Sequence, residues 1–324
     1  MLQDNTIKKS ITSLIQENIS LHDKNWFATG GCARYFVQPQ TAQEFQEALY
    51  FSKVQQLPLF ILGQGANILI SDQGFDGLVI RPQLNTITIE STDEKNIYLR
   101  AGTGIIINDL IEWCLAHQIL GLEEFSGIPG TVGGSVYINL HYYDFLLEQF
   151  IVQATVIHKA TGAISTVDRD WFCFGYDHSK LHVGDYFLID AVFKLTKTDA
   201  LGVAFAHGRR TEIIRHRYKR YPYKNTCGSF FRNFHEHEVT HISAGRKMIY
   251  AAYYLDKVGI KGQLSVGDAV VSYQHANMIV NNGSATSTDI ITLACKMQQL
   301  VYEKFGVHLQ PECQLIGFNT NPLY

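Results

Sequence analysis

The sequence predicts an α+β protein in three parts: a small α/β unit over residues 1–84, a sheet-rich unit over 85–198 and a C-terminal α/β domain over 199–324. Three observations carry that prediction. Short apolar runs of strand character alternate with stretches of helical periodicity. Two glycine-rich segments, Gly63-Gln64-Gly65-Ala66-Asn67 and Ser126-Gly127-Ile128-Pro129-Gly130-Thr131-Val132-Gly133-Gly134-Ser135, interrupt the alternation. Near Thr198 to Leu201 the pattern turns into one long polar helix, which marks the second boundary.

In order, Asn25-Trp26-Phe27-Ala28-Thr29-Gly30-Gly31 is a turn-rich approach to a strand over Ala33 to Val37. Thr41-x-x-Glu44 has the form of a capping box and opens a helix to about Gln56. The apolar run Leu59 to Leu62 ends in the first glycine segment, which leads into strands at Ile68 to Ile70 and Leu78 to Ile80, so these pieces make one small α/β unit. Thr86 to Glu90 and Asn96 to Ala101 read as paired strands, and Asn108 caps a helix whose Leu110, Ile111, Cys114 and Leu115 share a face. Beyond the second glycine segment, strands are expected at Phe150 to His158, Ala163 to Val167 and Tyr186 to Leu195, with a turn at Thr161-Gly162, so this unit reads as sheet-rich and mixed. The polar helix ends in Arg215-His216-Arg217-Tyr218-Lys219-Arg220-Tyr221. A loop over Cys227 to Asn233, a helix near Met248 to Lys257, a strand at Met278 to Asn281, a helix from about Thr288 to Phe305 and a strand introduced by Pro311-Glu312 complete the chain.

With 46% hydrophobic and 18% charged residues the composition is that of a globular protein, and a net charge of −3 argues against a dedicated nucleic-acid binder. Six cysteines without a CxxC pair signal neither a zinc ribbon nor a redox dithiol and fit reduced thiols in a cytoplasmic protein. The first twenty residues alternate polar and apolar side chains, as in Ile11-Thr12-Ser13-Leu14-Ile15-Gln16, without the apolar core of a leader, and no stretch reaches the length of a membrane span. A cytoplasmic protein with no nucleic-acid or membrane partner is expected, as a monomer or weak homo-oligomer.

The second glycine segment makes a poor helix and a poor strand, because glycine loses the most entropy on ordering and proline lacks an N–H. Such a run persists where backbone must come close to something. Glycine loops can turn successive N–H groups inward as an anion nest, which points to a phosphate-bearing cofactor clamped at two places. Neither segment has Gly-x-Gly-x-x-Gly spacing or a P-loop Gly-Lys-Ser/Thr. Ser229 has no Gly-x-Ser-x-Gly elbow around it, so a hydrolase nucleophile is not indicated. His235-Glu236-His237-Glu238 with His241 lacks the HExxH order and reads as an exposed loop with no metal. The tyrosine-interleaved basic run from Arg215 to Lys224 suits a local diphosphate better than a nucleic acid.

Taken together these segments resemble the UDP-N-acetylenolpyruvoylglucosamine reductase (MurB) family. The matches run in order from about Asn25 to Gly317: Thr29-Gly30-Gly31, Gly63-x-Gly65-x-Asn67, Gly127 to Gly134 with Asn139, Gly228-Ser229-Phe230-Phe231-Arg232-Asn233, Gly259-x-Lys261-Gly262, Ser272-x-x-His275, Ala285-Thr286 with Asp289, and Phe305-Gly306 to Pro311-Glu312. The resemblance implies a two-subdomain FAD-binding fold of the vanillyl-alcohol oxidase type followed by a C-terminal substrate domain, with the short Tyr176 to Thr196 connection of the family's shorter class. It implies NADPH as the electron donor, FAD as a non-covalent cofactor, since neither Ala66 nor Asn67 is a histidine or cysteine, and a UDP-sugar substrate reduced for peptidoglycan synthesis. FAD would be held by Thr29, Gly30, Gly31, Gly63, Gly65, Ala66, Asn67, Gly127, Ile128, Pro129, Gly130, Val132, Gly133, Gly134 and Asn139. Ser229 would supply a proton and Glu312 would polarise the enolate, while Arg215, Lys219, Arg232, Asn233 and His275 would meet the substrate.

Three positions depart from the family pattern. Gly175-Tyr176-Asp177-His178-Ser179 carries Asp177 where the family has the arginine that stabilises the enolate; Leu140-His141-Tyr142-Tyr143 replaces small residues; and Phe234 replaces a proline. Asp177 keeps two alternatives open: a divergent flavoenzyme acting on another substrate, and a flavin-binding protein without this turnover.

Overall fold

The computed structural model describes residues 13–243 and 245–323. The reading of residues 1–12 as free of a leader lies outside the described residues.

The elements in chain order are β1 (Gln16–Ser20), β2 (Cys32–Val37), α1 (Ala42–Val54), β3 (Leu59–Ile61), β4 (Ile68–Ile70), β5 (Phe75–Ile80), β6 (Ile87–Thr92), β7 (Asn96–Gly102), α2 (Ile107–Ala116), β8 (Ile119–Leu120) and α3 (Val132–Tyr137). There follow β9 (His141–Tyr142), β10 (Phe145–Leu146), β11 (Ile151–His158), β12 (Ile164–Asp168), β13 (Tyr186–Lys197) and α4 (Ala200–Arg220). The remainder is β14 (Ile242–Ser243), β15 (Arg246–Lys247), α5 (Ala251–Lys257), β16 (Ser265–Val266), β17 (Ala269–Val271), β18 (Ile279–Asn281), α6 (Ser287–Phe305) and β19 (Gln314–Ile316). They form two units that do not follow chain order: residues 35–64 and 77–216 with 13–17, and residues 18–34, 65–76 and 217–323.

The first unit is built on a sheet of order β12-β11-β13-β7-β6, with β8 added on β13. Every pairing in it is antiparallel, so the sheet is not mixed. The Thr161-Gly162 turn joins β11 to β12, as expected for antiparallel neighbours that need only a short connection. α2 and α3 cover the sheet through Leu110, Leu115 and Val136, packed with Leu99, Phe125 and Phe193. A second core places Phe45, Ala48 and Leu49 of α1 with Leu78 and Ile80 of β5, which runs parallel to β3. Thr41 caps α1 by accepting from the Glu44 N–H at 3.1 Å, while the Glu44 carboxylate reaches the Gln40 N–H at 2.6 Å, one residue outside the expected box.

In the second unit β16, β17 and β18 form a meander against α5 and α6, around Phe230, Phe231, Tyr254, Leu293 and Met297. The expectation that Ile68 to Ile70 completes the N-terminal α/β unit is not met. β4 pairs in parallel with β19, Ile68 opposite Gln314 and Ile70 opposite Ile316. The following Asp72 then caps α6, accepting from the Ser287 N–H at 2.8 Å and the Thr288 N–H at 3.1 Å. Burial raises the Asp72 carboxyl, but the hydrogen bonds from Ser287 and Thr288 outweigh it and hold the group below the usual carboxylate range. Helix N-termini leave N–H groups orphaned, and here a segment distant in sequence satisfies them alongside the Thr286/Asp289 capping box.

Candidate functional site

The second glycine segment divides into two halves. Its first half is irregular; from Val132 it is α3, opened by Thr131, whose hydroxyl accepts from the Gly134 N–H at 3.2 Å. The expectation of a segment that is neither helix nor strand therefore fails for Val132 to Ser135. Nor is the segment an open nest. Gly127 donates to Asn108 Oδ1 (2.7 Å), Ile128 to the Phe125 carbonyl (3.2 Å), Gly130 to Gln64 Oε1 (2.7 Å), Val132 to the Ile105 carbonyl (2.7 Å) and Gly133 to the Thr103 carbonyl (2.9 Å). Asn108 does not cap α2, whose cap is Ile106; its amide instead clamps the segment from both sides, donating to the Ile128 carbonyl at 2.7 Å. Gln64 and Asn108 hold the backbone of this segment, which pattern reading missed because a lone amide carries no periodic signal.

The first glycine segment keeps the nest character. Among the described residues the N–H groups of Gly63 to Asn67 make no backbone hydrogen bond within the chain. Gly65 has φ +68°, and a Cβ there would stand 2.6 Å from the Asn25 Cα. Gly63 lies against Thr131, with 2.9 Å between a built Cβ and Oγ1, so the two segments meet in the first unit.

Thr29 is buried, and its Oγ1 finds no partner among the described residues; the same holds for the buried Asn67 Oδ1 and Asn25 Oδ1, all in the second unit. Buried polar atoms are nearly always paired, so the unpaired oxygens of Thr29 and Asn67, two of the residues that the resemblance assigns to FAD, leave room for a ligand's polar groups; Asn25 is not among the residues so assigned. Within the second unit, the open N–H groups of Gly65, Ala66 and Asn67 and the unpartnered Thr29 Oγ1 and Asn67 Oδ1 suit a group rich in phosphate, ribityl and ring polar atoms. The residues present fit FAD.

Ser229 and Glu312, far apart in sequence, are brought onto neighbouring segments. The Glu312 N–H donates to the Phe230 carbonyl at 2.9 Å, and Phe231 bridges Pro311. Phe230 and Phe231 are fully buried, and buried Asn277 fixes the loop: its carbonyl accepts from the Phe230 N–H (2.8 Å), its Oδ1 from the Phe231 N–H (3.0 Å), and its Nδ2 donates to the Phe231 carbonyl (2.7 Å). Ser229, next to Gly228 at φ +83°, is half-buried at the edge of this anchored loop. Nearby, burial pushes the Cys313 thiol well up, which keeps it unreactive.

Asn139 is buried in the first unit, where its amide donates to the Gly175 carbonyl (3.1 Å) and accepts from the Glu148 N–H (3.1 Å). It is a strut between α3 and the Gly175–His178 turn. Asp177 occupies that turn with φ +50°, its Oδ1 facing His141 Nδ1 at 3.4 Å. Burial pushes the Asp177 carboxyl up, and the neighbouring His141 works in the opposite direction.

Of the residues assigned to the substrate, Arg232 is gripped by Glu238 at 2.7 and 2.8 Å and donates to the Asn233 carbonyl at 2.9 Å. That pairing holds the Glu238 carboxyl down at about 2. Asn233 Oδ1 accepts from the Ala251 N–H at 3.3 Å. His275 packs its ring 5.3 Å from that of Tyr221, and its Nδ1 is a further buried atom without a partner among the described residues. Burial, then Arg220 and Lys261, lower its imidazole to about 4. Arg215 and Lys219 are exposed on α4; the basic groups whose charge reaches His275 are Arg220 and Lys261, and Arg217 and Arg220 lie over the Tyr221 ring at 5.5 and 5.4 Å. Which arginines of a basic run share a face with a distant histidine is not readable from the run itself. No group of metal-ligating side chains occurs among the described residues, and no helix among them is long and apolar enough to cross a membrane.

Residues 33–168 match an FAD binding domain family, and residues 220–316 match the UDP-N-acetylenolpyruvoylglucosamine reductase C-terminal domain. The chain is 30% identical over 304 residues to the UDP-N-acetylenolpyruvoylglucosamine reductase of Listeria monocytogenes serotype 4b, covering 94% of this chain and 95% of that one. It is 32% identical over 313 residues to the enzyme of the same name from Synechocystis, covering 94% and 92%. The crystal structure of UDP-N-acetylenolpyruvylglucosamine reductase (MurB) from Thermus caldophilus superposes with a TM-score of 0.74 at 26% identity, over 93% of this chain and 99% of that one. This similarity spans both units and agrees with the α+β class and with an FAD-binding part that precedes a reductase C-terminal domain. The chain belongs to the UDP-N-acetylenolpyruvoylglucosamine reductase family.

Proposed function

We propose that the chain reduces UDP-N-acetylglucosamine enolpyruvate to UDP-N-acetylmuramate with NADPH as electron donor, residues 1–84 and 85–198 holding FAD and residues 199–324 the UDP-sugar. The observation that carries this reading is the Ser229–Glu312 juxtaposition fixed by the bond from the Glu312 N–H to the Phe230 carbonyl. When bound, the flavin supplies hydride from the nicotinamide to the enolpyruvyl double bond. Negative charge then builds on the substrate carboxylate, and the carbon beside that carboxylate needs a proton. Ser229 is the donor of that proton, and Glu312, on the neighbouring segment, polarises the enolate. Thr29 Oγ1 and Asn67 Oδ1 hydrogen-bond the cofactor, the open N–H groups of Gly65 to Asn67 take its phosphates, and the Asn108 and Gln64 amides keep the second glycine segment rigid. Arg232, Asn233 and His275 hold the nucleotide sugar.

The test is NADPH oxidation by purified protein with and without UDP-N-acetylglucosamine enolpyruvate. Turnover that depends on the substrate is expected; a reducible bound flavin without it would favour flavin binding alone, the alternative that Asp177 supports. With turnover in hand, Ser229→Ala slows flavin reoxidation by substrate ~10²–10⁴-fold, the contribution of a positioned acid, and spares flavin reduction. Equal losses in both half-reactions would contradict the assignment.

A further inference from the structure

The geometry points to a second ligand site within the first unit: a cavity between α1 and the turn joining β11 to β12 that takes an anionic sugar, a polyhydroxylated ring carrying a phosphate or a carboxylate group. The site goes beyond the reductase reading, since no residue that lines it is among those assigned above to FAD or to the UDP-sugar.

The cavity arises from the way the turn is hung on the helix. Gln46 Nε2 donates to the Gly162 carbonyl at 2.7 Å, and Lys53 Nζ donates to the Ala160 carbonyl at 2.9 Å. Gln46 and Lys53 stand two helical turns apart, ~10 Å along the axis. Two long side chains thus hold the turn away from the helix at separate points, and the space left there measures about 450 Å³. Pockets that take small organic molecules measure ~300–1,000 Å³. The turn closes on itself independently, the Gly162 N–H donating to the His158 carbonyl at 2.8 Å and the His158 N–H to the Ala163 carbonyl at 2.9 Å. Its shape therefore does not depend on a ligand.

The floor carries the chemical signal. Glu47 lines the cavity and is only 6% exposed. Its Oε1 accepts from Gln43 Nε2 at 3.2 Å, while its buried Oε2 has no partner among the described residues. Leaving a buried polar atom unpaired is costly, so this position calls for a polar group from outside the chain. The last torsion of a glutamate is broad and two-fold, so one oxygen keeps Gln43 while the other is offered to a ligand. A hydroxyl both donates and accepts, and so satisfies that oxygen whether or not it carries a proton; an ammonium only donates. That favours a sugar over an amine. The Tyr50 ring, 40% exposed, lines the same cavity and supplies the flat apolar surface that the C–H face of a sugar needs.

The rim adds the charge. Lys53 gives one of its three ammonium donors to Ala160 and has two more, and exposed Lys159, next to Ala160 in the turn, brings a second ammonium to the lining. Two cations above a floor that pairs with hydroxyls specify a negative group at the mouth, because hydrogen bonds from an ammonium to an anionic oxygen are about twice as strong as neutral ones.

The test uses the full chain with FAD bound and calorimetric titration with glucose 6-phosphate, glucuronate, glucose and inorganic phosphate. At least one of the two anionic sugars binds about tenfold or more tightly than glucose or phosphate, each of which lacks one half of the recognition, and the one that binds identifies the anionic group. Glu47→Leu keeps the size of the side chain, removes the polar floor and weakens that binding ~10-fold or more. Lys159→Gln changes an exposed side chain and weakens it ~10-fold, the effect of losing one charge-assisted hydrogen bond. Flavin content reports folding, and Lys159→Gln carries the test alone if Glu47→Leu loses its flavin. No binding of either anionic sugar at millimolar concentration, phosphate bound as tightly as glucose 6-phosphate, or an affinity unchanged in Lys159→Gln would overturn the inference. None of these readouts involves turnover, so the site and the reductase reading fail separately.

Discussion

Gly133 and Gly134 are adjacent, both lie in α3, and both belong to the segment that the sequence marks most strongly, yet adding one methyl group to each is expected to act with opposite sign. At Gly133 a Cβ would meet Thr103 Oγ1 at 2.0 Å, the Thr103 carbonyl oxygen at 3.1 Å and Thr103 Cβ at 3.3 Å. Thr103 is buried, its N–H donates to the Ile189 carbonyl at 2.9 Å, and its carbonyl already accepts from Gly133. Rotating the hydroxyl away leaves the other two close contacts in place. Overpacking of this kind costs ~1–3 kcal/mol, and the helix-propensity gain of glycine to alanine returns ~0.5–1. Gly133→Ala should therefore destabilise the flavin-free chain by up to about 2.5 kcal/mol. At Gly134 the same methyl meets only Thr131 Oγ1, at 3.6 Å, an ordinary contact on an exposed helical position. Gly134→Ala should stabilise the flavin-free chain by ~0.5–1 kcal/mol while weakening flavin retention. Urea unfolding of flavin-free protein reads the first quantity, and flavin fluorescence on dilution reads the second. Shifts of the same sign for the two variants would refute the packing argument.

Asn277→Leu leaves the Phe231 N–H and carbonyl buried without their partner, at ~1–3 kcal/mol each; the unfolding free energy from urea titration should fall by about 2–6 kcal/mol, and a loss under 1 kcal/mol would mean that water replaces the amide. His275 titrates near 4 in the folded chain against an ordinary 6.5, so the unfolded chain binds the extra proton between those values. Stability is full above pH 6.5, is lost as the pH falls toward 4, and levels off below. The 2.5-unit gap corresponds to about 3 kcal/mol, trimmed to about 2–3 by partial exposure. His275→Gln should flatten that decline, and identical slopes in the two proteins from pH 6.5 to 4 would refute the burial of a neutral imidazole.

Much of the chain follows from local signals. Thr41 and Thr286 open helices because a hydroxyl followed three residues later by a carboxylate satisfies N–H groups that no later turn can reach. Asn108 shows the limit of the same rule: it stands at a plausible cap, but the Ile128 carbonyl and Gly127 N–H are better partners, and those are supplied by a segment beyond the helix. Similarly, Ile68-Leu69-Ile70 is an unmistakable strand, while the identity of its neighbour is a question about the other end of the chain.

By itself the sequence determined most of the helices and the longer strands in their order, the two glycine segments and, through the register of its motifs, the family; the short strands and the helix Val132–Tyr137 were not among its expectations. The features it determined are properties of short windows, set by propensity, capping and spacing. Only the tertiary structure decided that residues 65–76 pack with the C-terminal part, that the second glycine segment spends its N–H groups on Asn108, Gln64 and Thr103, and that His141 stands against Asp177. Each of these joins residues separated by folded elements, and the free energy that selects such a pairing comes from burial and hydrogen bonding that exist only once both partners are in place.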